Sequence, residues 1–382
     1  MMKKELVPLA LGGLAIGTTE FVMMGLLPDI ANGMGISIPI AGHLISAYAL
    51  GVVVGAPILV ALSAKFQAKY ILITLMLMFT IFNFLSTISP DYYTLMLSRF
   101  LSGLPHGAFF GVGTVVASKL VKEGKSAQAI ASMFTGLTVA IVAMVPLVTY
   151  LGHNLDWRYA FAIVSLLGVI TIVSLYKYLP MQEPLRTVTF KEELEFFKTI
   201  KAWHILLIVS IGFGGLFAWF SYIAPLMIHI SNFSANSVSY LMIIAGLGMF
   251  TGNIIGGKLA DKKDPIKVSI VLLFLMVIAL ILVFFLSENK IISIILTFIC
   301  GALAMSISSP INMIMLTNAK KSQMLGAAFI QSAFNVANSL GALFGGIPLL
   351  LGFSYNYASL VGALMALFGL LLCILFLKRY QH

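Results

Sequence analysis

Glu20 lies inside "GTTEFVMMGLLPDIA", Gly17 to Ala31, a run that is otherwise almost wholly apolar. An ionised carboxylate in hydrocarbon costs at least about 2.5–3.5 kcal/mol unless it is paired or hydrated. The side chain must therefore face the interior of a bundle, where a carboxyl group can take up and release a proton. A purely structural ion pair is the plainer use of the same acid.

A partner for it stands in "LSRFLSGLPHGAFFG", Leu97 to Gly111. Arg99, Gly103, His106 and Phe110 recur there at spacings of 4, 3 and 4, so one helical face would present a cation, a gap, an imidazole and an aromatic ring. Arginine does not give up its proton, so Arg99 would bias the charge on Glu20 or fix the architecture. Gly103 would let a neighbouring helix approach closely. His106 would relay protons or simply hydrogen-bond within the packing.

Later in the chain the polar residues are neutral. Gln331, Asn335 and Asn338 share one helical face, and Ser308 and Asn312 sit in the preceding apolar stretch. They would hydrogen-bond a bound molecule or join helices. Phe21, Phe110, Trp219 and Tyr222, with Phe220 and Phe334, would line an apolar cavity or pack against lipid.

The elements that must carry these residues are membrane-spanning helices. Hydrophobic residues make up 60% of the chain and charged ones 9%, against about 25% charged in soluble domains; mean hydropathy is +1.05. Twelve apolar stretches, at about 6–31, 39–63, 70–89, 92–118, 126–151, 158–179, 203–230, 235–258, 267–286, 291–317, 323–351 and 355–377, are each long enough to cross roughly 30 Å of hydrocarbon as a helix. Short alternating strands of the kind that build a barrel are absent. The first stretch is too long for a removable signal peptide, carries Glu20 and lacks a small-residue cleavage site. On this reading Glu20 is about ten residues, or about 15 Å, from the outer end of span one.

The net charge of +10 sorts by side rather than clustering for nucleic acid. With the N-terminus inside, 20 of the 23 Lys and Arg residues fall on the cytoplasmic side, all but Arg99, Arg158 and Lys290. That is the positive-inside pattern, and it puts both termini in the cytoplasm. Cys300 and Cys373 lie far apart within apolar spans, with no metal-ligand spacing and no evident disulfide.

The longest polar connection, residues 181 to 203, divides the chain. Thr189 and Glu192 fit a capping box, and Phe190, Leu194, Phe197 and Ile200 recur at helical spacing, as in an amphipathic helix at the membrane surface. The expected organisation is an all-α membrane protein with a six-helix bundle over 1–180, a linker over 181–202 and a second bundle over 203–382. The halves match weakly at an offset of 197: Pro28 with Pro225, Gly51 with Gly248, Gly55 with Gly252, and Lys65 with Lys262. Parallel repeats of this kind place a substrate site between them near the midplane. No HExxH, GxSxG or phosphate-binding glycine loop occurs, so no enzyme, cofactor or metal site is expected, and an ion gradient is the economical driver.

Over nearly its full length the sequence resembles the major facilitator superfamily. "GGKLADKK", Gly256 to Lys263, is similar to that superfamily's cytoplasmic loop motif. The resemblance implies close helix packing at Gly257, and an inner gate latched by Asp261 with basic neighbours such as Lys262. "LSRFLSGLPHGAFFG" resembles the span-four motif whose arginine is linked to proton coupling, which maps onto Arg99. "DWRYAF", Asp156 to Phe161, is similar at the start of span six. "TEFVMMGLLPDIA" followed by "AGHLISAYALGVVVGAPIL" resembles the proton-coupled exporters related to arabinose, sugar, purine-nucleoside and chloramphenicol efflux, which implies that Glu20 is the protonation site. Two places depart from the pattern: Ala64 stands where the repeat offset places Asp261, and Val145 precedes Pro146 where drug exporters carry glycine.

The expected function is proton-coupled efflux of a drug, sugar or nucleoside across the bacterial inner membrane. The protein would work by alternating access as a monomer in the bilayer, with protons and a small-molecule substrate as its partners. The residues alone leave open an uncoupled facilitator or importer with the same cavity, or a membrane sensor without transport.

Overall fold

The structure, a computed structural model, describes residues 3–63, 66–122, 126–181, 196–319 and 323–380. The side chain of Asp261 and most of the expected linker helix lie outside the described residues, as do Ala64 and Lys65. Among these residues twelve helices are long and apolar enough to cross a membrane. They are Lys4–Met34, Ile38–Val60, Ala68–Thr87, Tyr92–Lys119, Ser132–Asn154, Arg158–Tyr178, Ile200–His229, Ser237–Ala260, Pro265–Leu286, Lys290–Met315, Phe329–Leu350 and Tyr357–Tyr380. They are spans one to twelve below. An even number of crossings returns both termini to one face, and the opposite face is called the far side.

Local chemistry sets the span ends. Span one stops at Gly35, whose left-handed φ of 65° lets its N–H turn back to the carbonyls of Ala31 and Asn32. Asp91, Asp264 and Asn289 cap spans four, nine and ten by accepting hydrogen bonds from first-turn N–H groups. Span five contains a π-helical turn, Ala140–Met144, just before Val145 and Pro146. Pro146 has no N–H to donate and its ring would press on the carbonyl four residues back, so a wider turn relieves both. Span seven has its own π-helical turn, Ile208–Phe213, and breaks at Ser221 and Tyr222 between Gly214–Phe220 and Ile223–His229.

The twelve spans form two pseudo-symmetric six-helix bundles. Spans two and four, three and six, and one and five pack closely in the first; eight and ten, nine and twelve, and seven and eleven do so in the second. The glycine repeat proves to be a repeat of backbone contact. A Cβ on Gly51, Gly55 or Gly103 would overlap the carbonyl oxygen of Phe100, Leu104 or Tyr48 respectively. The equivalent overlaps are Gly248 with Phe298 and Gly252 with Ala302, while a Cβ on Gly301 would reach 2.5 Å from the Ala245 carbonyl. Gly103 thus admits its neighbour as expected. At the loop motif the close approach falls one residue earlier than expected: a Cβ on Gly257 meets nothing within 4 Å, whereas on Gly256 it would overlap the Ser306 carbonyl.

Spans one and seven are central, with 78% and 83% of their most apolar stretches buried against 44% for spans three, six, nine and twelve. The halves meet mainly through span two against eleven and span five against eight. Ser46 Oγ donates to the Ser339 carbonyl at 3.1 Å, Asn154 Nδ2 donates to Asn236 Oδ1 at 2.9 Å, and Phe21 meets Phe220 edge-on with centroids 6.2 Å apart. The two hydrogen bonds lie in the far half of the bundle.

Candidate functional site

Glu20 sits near the middle of span one, 7% exposed. Among the described residues its carboxyl group makes no hydrogen bond and no ion pair. Arg99, fully buried on span four, does not reach it as a direct ionic partner. The guanidinium grips the preceding residue instead: Nη1 donates to Thr19 Oγ1 at 2.8 Å and Nη2 to the Thr19 carbonyl at 3.1 Å. Its flat face lies 4.4 Å from the Tyr48 ring centroid and 5.3 Å from that of Phe161, a cation–π enclosure that replaces lost water. Its Nε has no partner.

The site continues on both sides of this fork. Thr19 Oγ1 donates to Asn83 Oδ1 at 2.7 Å, and Asn83 Nδ2 donates to the Phe79 carbonyl at 2.9 Å. Span three therefore fixes the hydroxyl that fixes the arginine. On the other side the Tyr48 hydroxyl lies 3.0 Å from His106 Nδ1, while His106 Nε2 is buried without a partner. Phe110 follows on the same face, 5.4 Å from the His106 ring and stacked 5.1 Å from Phe134. Of the expected face, Gly103 and His106 turn toward span two, whereas Arg99 lies between spans one, two and six and Phe110 meets span five.

Span eleven brings neutral groups to the seam between the halves. Phe334, Ala337, Gly341 and Gly345 meet span seven, whereas Ser339 meets span two. Gln331, Asn335 and Asn338 fall at helical spacing between those two directions. Asn335 Nδ2 donates back to the Gln331 carbonyl, but among the described residues Asn335 Oδ1 and both polar atoms of Asn338 are buried without partners. Buried polar groups normally find partners, so two acceptor oxygens and one donor amide are left to hydrogen-bond something else. Trp219 adds an unpartnered indole N–H.

Two expected binding residues are engaged elsewhere. Asn312 Nδ2 donates to the Ser308 carbonyl on its own span. Tyr222 donates its hydroxyl to the Ala342 carbonyl at 2.7 Å and is wedged so that a Cβ on Gly42 or on Gly346 would overlap its oxygen. It closes the far side rather than facing a cavity. Thr19, Tyr48, Asn83 and Phe161 were not legible as site residues from spacing. Asn83, a lone amide in an apolar span, was the available signal.

A family model described as Major Facilitator Superfamily matches residues 9–346. The chain is 41% identical over 377 residues to the inner membrane transport protein YdhP of Escherichia coli (strain K12), covering 99% of this chain and 96% of that one. It is 28% identical over 339 residues to a chloramphenicol resistance protein of Streptomyces lividans, covering 88% and 86%. Among solved structures, an inward-facing bacterial homologue of the human lysosomal transporter Spinster superposes with a TM-score of 0.79 at 15% identity, covering 98% of this chain and 97% of that one.

Proposed function

The chain belongs to the major facilitator superfamily, a family of transporters rather than enzymes, and on that premise we propose that it exports a small organic molecule across the bacterial inner membrane in exchange for protons. The observation that carries this reading is Glu20: an enclosed carboxyl with no partner among the described residues, one residue from the Thr19 that holds Arg99. Protonated, Glu20 leaves the guanidinium to Thr19. Ionised, it competes for the same cation, whose Nε has no partner. Proton occupancy thereby changes how span one is tied to span four, and His106 shuttles protons along the same face.

Substrate binds in the seam, against Gln331, Asn335 and Asn338, with Trp219 and Phe21 around it. Drugs, sugars and nucleosides are the classes such a lining suits. The termini and the Gly256–Lys263 motif at the end of span eight face the cytoplasm, in keeping with the sorting of basic residues, and Asp261 and Lys262 serve the inner gate. Coupling requires that proton and substrate bind the two orientations with different affinities. Export as the direction draws support from the resistance protein's name.

The test is proton flux in liposomes containing the purified protein, with a panel of sugars, nucleosides and lipophilic cations, run beside Glu20→Gln. Substrate-driven pH change in the wild type alone is the expected result. Substrate flux without proton movement in both proteins would make this a facilitator and return Glu20 to a structural role.

A further inference from the structure

A cavity of about 680 Å³ opens on the far side, between the halves. Its volume lies in the range of small-molecule sites. Span one supplies Asp29 and span two Pro39; from the other half come Ile228 and His229 at the end of span seven, Leu349 at the end of span eleven, and Tyr355 from the following loop. No lysine or arginine lines it.

The chemistry of this lining is specific. Asp29 Oδ1 is held by His153 Nδ1 at 2.7 Å, while its other oxygen makes no hydrogen bond among the described residues. His229 and Tyr355 stack across the cavity wall, with centroids 5.1 Å apart and planes at 21°. Burial pushes the Tyr355 phenol up from its ordinary range, so the ring stays uncharged. One carboxylate, an aromatic pair and an apolar wall form the set that holds an organic cation, through charge at one end and π-faces along the body.

The floor of the cavity is the far-side seal. Pro39 lies 3.8 Å from where a Cβ on Gly346 would stand, and Tyr222 is wedged between Gly346 and Gly42 directly there. We propose that this cavity is a second small-molecule site, separate from the seam, that takes an organic cation with an apolar or aromatic body and, when filled, clamps the far side shut. A molecule touching Asp29 and Pro39 in one half and His229 and Leu349 in the other loses half its contacts when the halves part. It therefore binds the closed arrangement preferentially and shifts the population toward it. Binding does not depend on whether the protein exports or imports, or on proton coupling.

The probe is benzyltrimethylammonium, set against benzyldimethylamine N-oxide, which has nearly the same shape and no net charge. Binding to the purified full-length chain in detergent is measured for the wild type and for Asp29→Asn, His229→Leu, Tyr355→Leu and Glu20→Gln. Saturable binding of the cation is expected, weakened about tenfold or more for the N-oxide and in Asp29→Asn, and several-fold in the two aromatic variants. Glu20→Gln should bind as the wild type does. Spin labels at Leu155 and Ser234, one on each half, should report a shift toward the short, closed distance on adding the cation. Equal binding of the two probes, or loss in Glu20→Gln with Asp29→Asn and His229→Leu unaffected, would overturn the proposal by placing the cation elsewhere or nowhere. Should Asp29→Asn fail to fold without its His153 contact, the exposed His229→Leu and the Tyr355→Leu variants decide the same point.

Discussion

The Tyr222 phenol of span seven is keyed onto the backbone of Gly42, a residue of the opposite half, so closely that no Cβ fits between them. The same hydroxyl is tied down by the Ala342 carbonyl at 2.7 Å. On the far side one side chain is thus seated in a notch whose walls, Gly42 and Gly346, have no room for a Cβ.

Gly42→Ala should hold that notch open. Overpacking of this kind costs about 1–3 kcal/mol, enough to shift the closed-to-open ratio by roughly tenfold or more. Spin labels at Leu155 and Ser234 should move to longer distances, and uptake of substrate into liposomes should slow. Tyr222→Phe in the Gly42→Ala background removes the oxygen that clashes and should restore part of the short-distance population.

Arg99→Lys keeps the charge but cannot reproduce the fork onto Thr19 or the flat contact with Tyr48 and Phe161. Charge-assisted hydrogen bonds contribute about 1.5–3 kcal/mol each. Substrate-driven proton flux should fall at least about tenfold and the melting temperature in detergent should drop. Flux equal to the wild type would mean that charge alone suffices.

Asn83→Leu should impair coupling without touching Glu20 or Arg99. It removes the acceptor of the Thr19 hydroxyl, and a buried group left unsatisfied costs about 1–3 kcal/mol. Reduced proton-driven transport with substrate binding retained is the expected pair of results. Unchanged flux would show that Thr19 holds Arg99 unaided.

Gly256→Ala and Gly257→Ala make a paired test of span packing. The first adds a methyl group against the Ser306 carbonyl and should destabilise by about 1–3 kcal/mol. The second meets open space and should leave the melting temperature within about half a kcal/mol of the wild type in free energy. Equal losses would contradict the contact.

The sequence made the number and approximate limits of the spans readable because a bilayer imposes length and apolarity on each one separately. The enclosure of Glu20 followed from the same constraint, and the offset between Gly51 and Gly248 was readable because both meet a backbone. What spacing could not supply was which neighbour a face would meet. Arg99 was expected on Glu20 and is found on Thr19, since helical periodicity orients a side chain without naming the residue opposite. Tyr222 looked like a cavity aromatic because its partner, a glycine far away in sequence, carries no side chain to signal the contact. The π-helical turn at Ala140–Met144 inserts a residue into span five, so a 3.6-residue pattern carried across it assigns later residues to the wrong face.

The glycine contacts also determine which helices can slide. Between spans two and four, and between eight and ten, main chain rests on main chain at Gly51, Gly55, Gly103, Gly248, Gly252 and Gly301. No layer of side chains lies there to absorb shear; sliding by a fraction of a turn would drive one carbonyl into the opposing backbone. Each pair is therefore welded and must travel as one plank. Span four carries Arg99, and span two carries Gly42 and Ser46, which close the far side. Arg99, beside Glu20, and the rim of the far-side seal ride on the same rigid piece, so a force applied at one is delivered to the other by leverage.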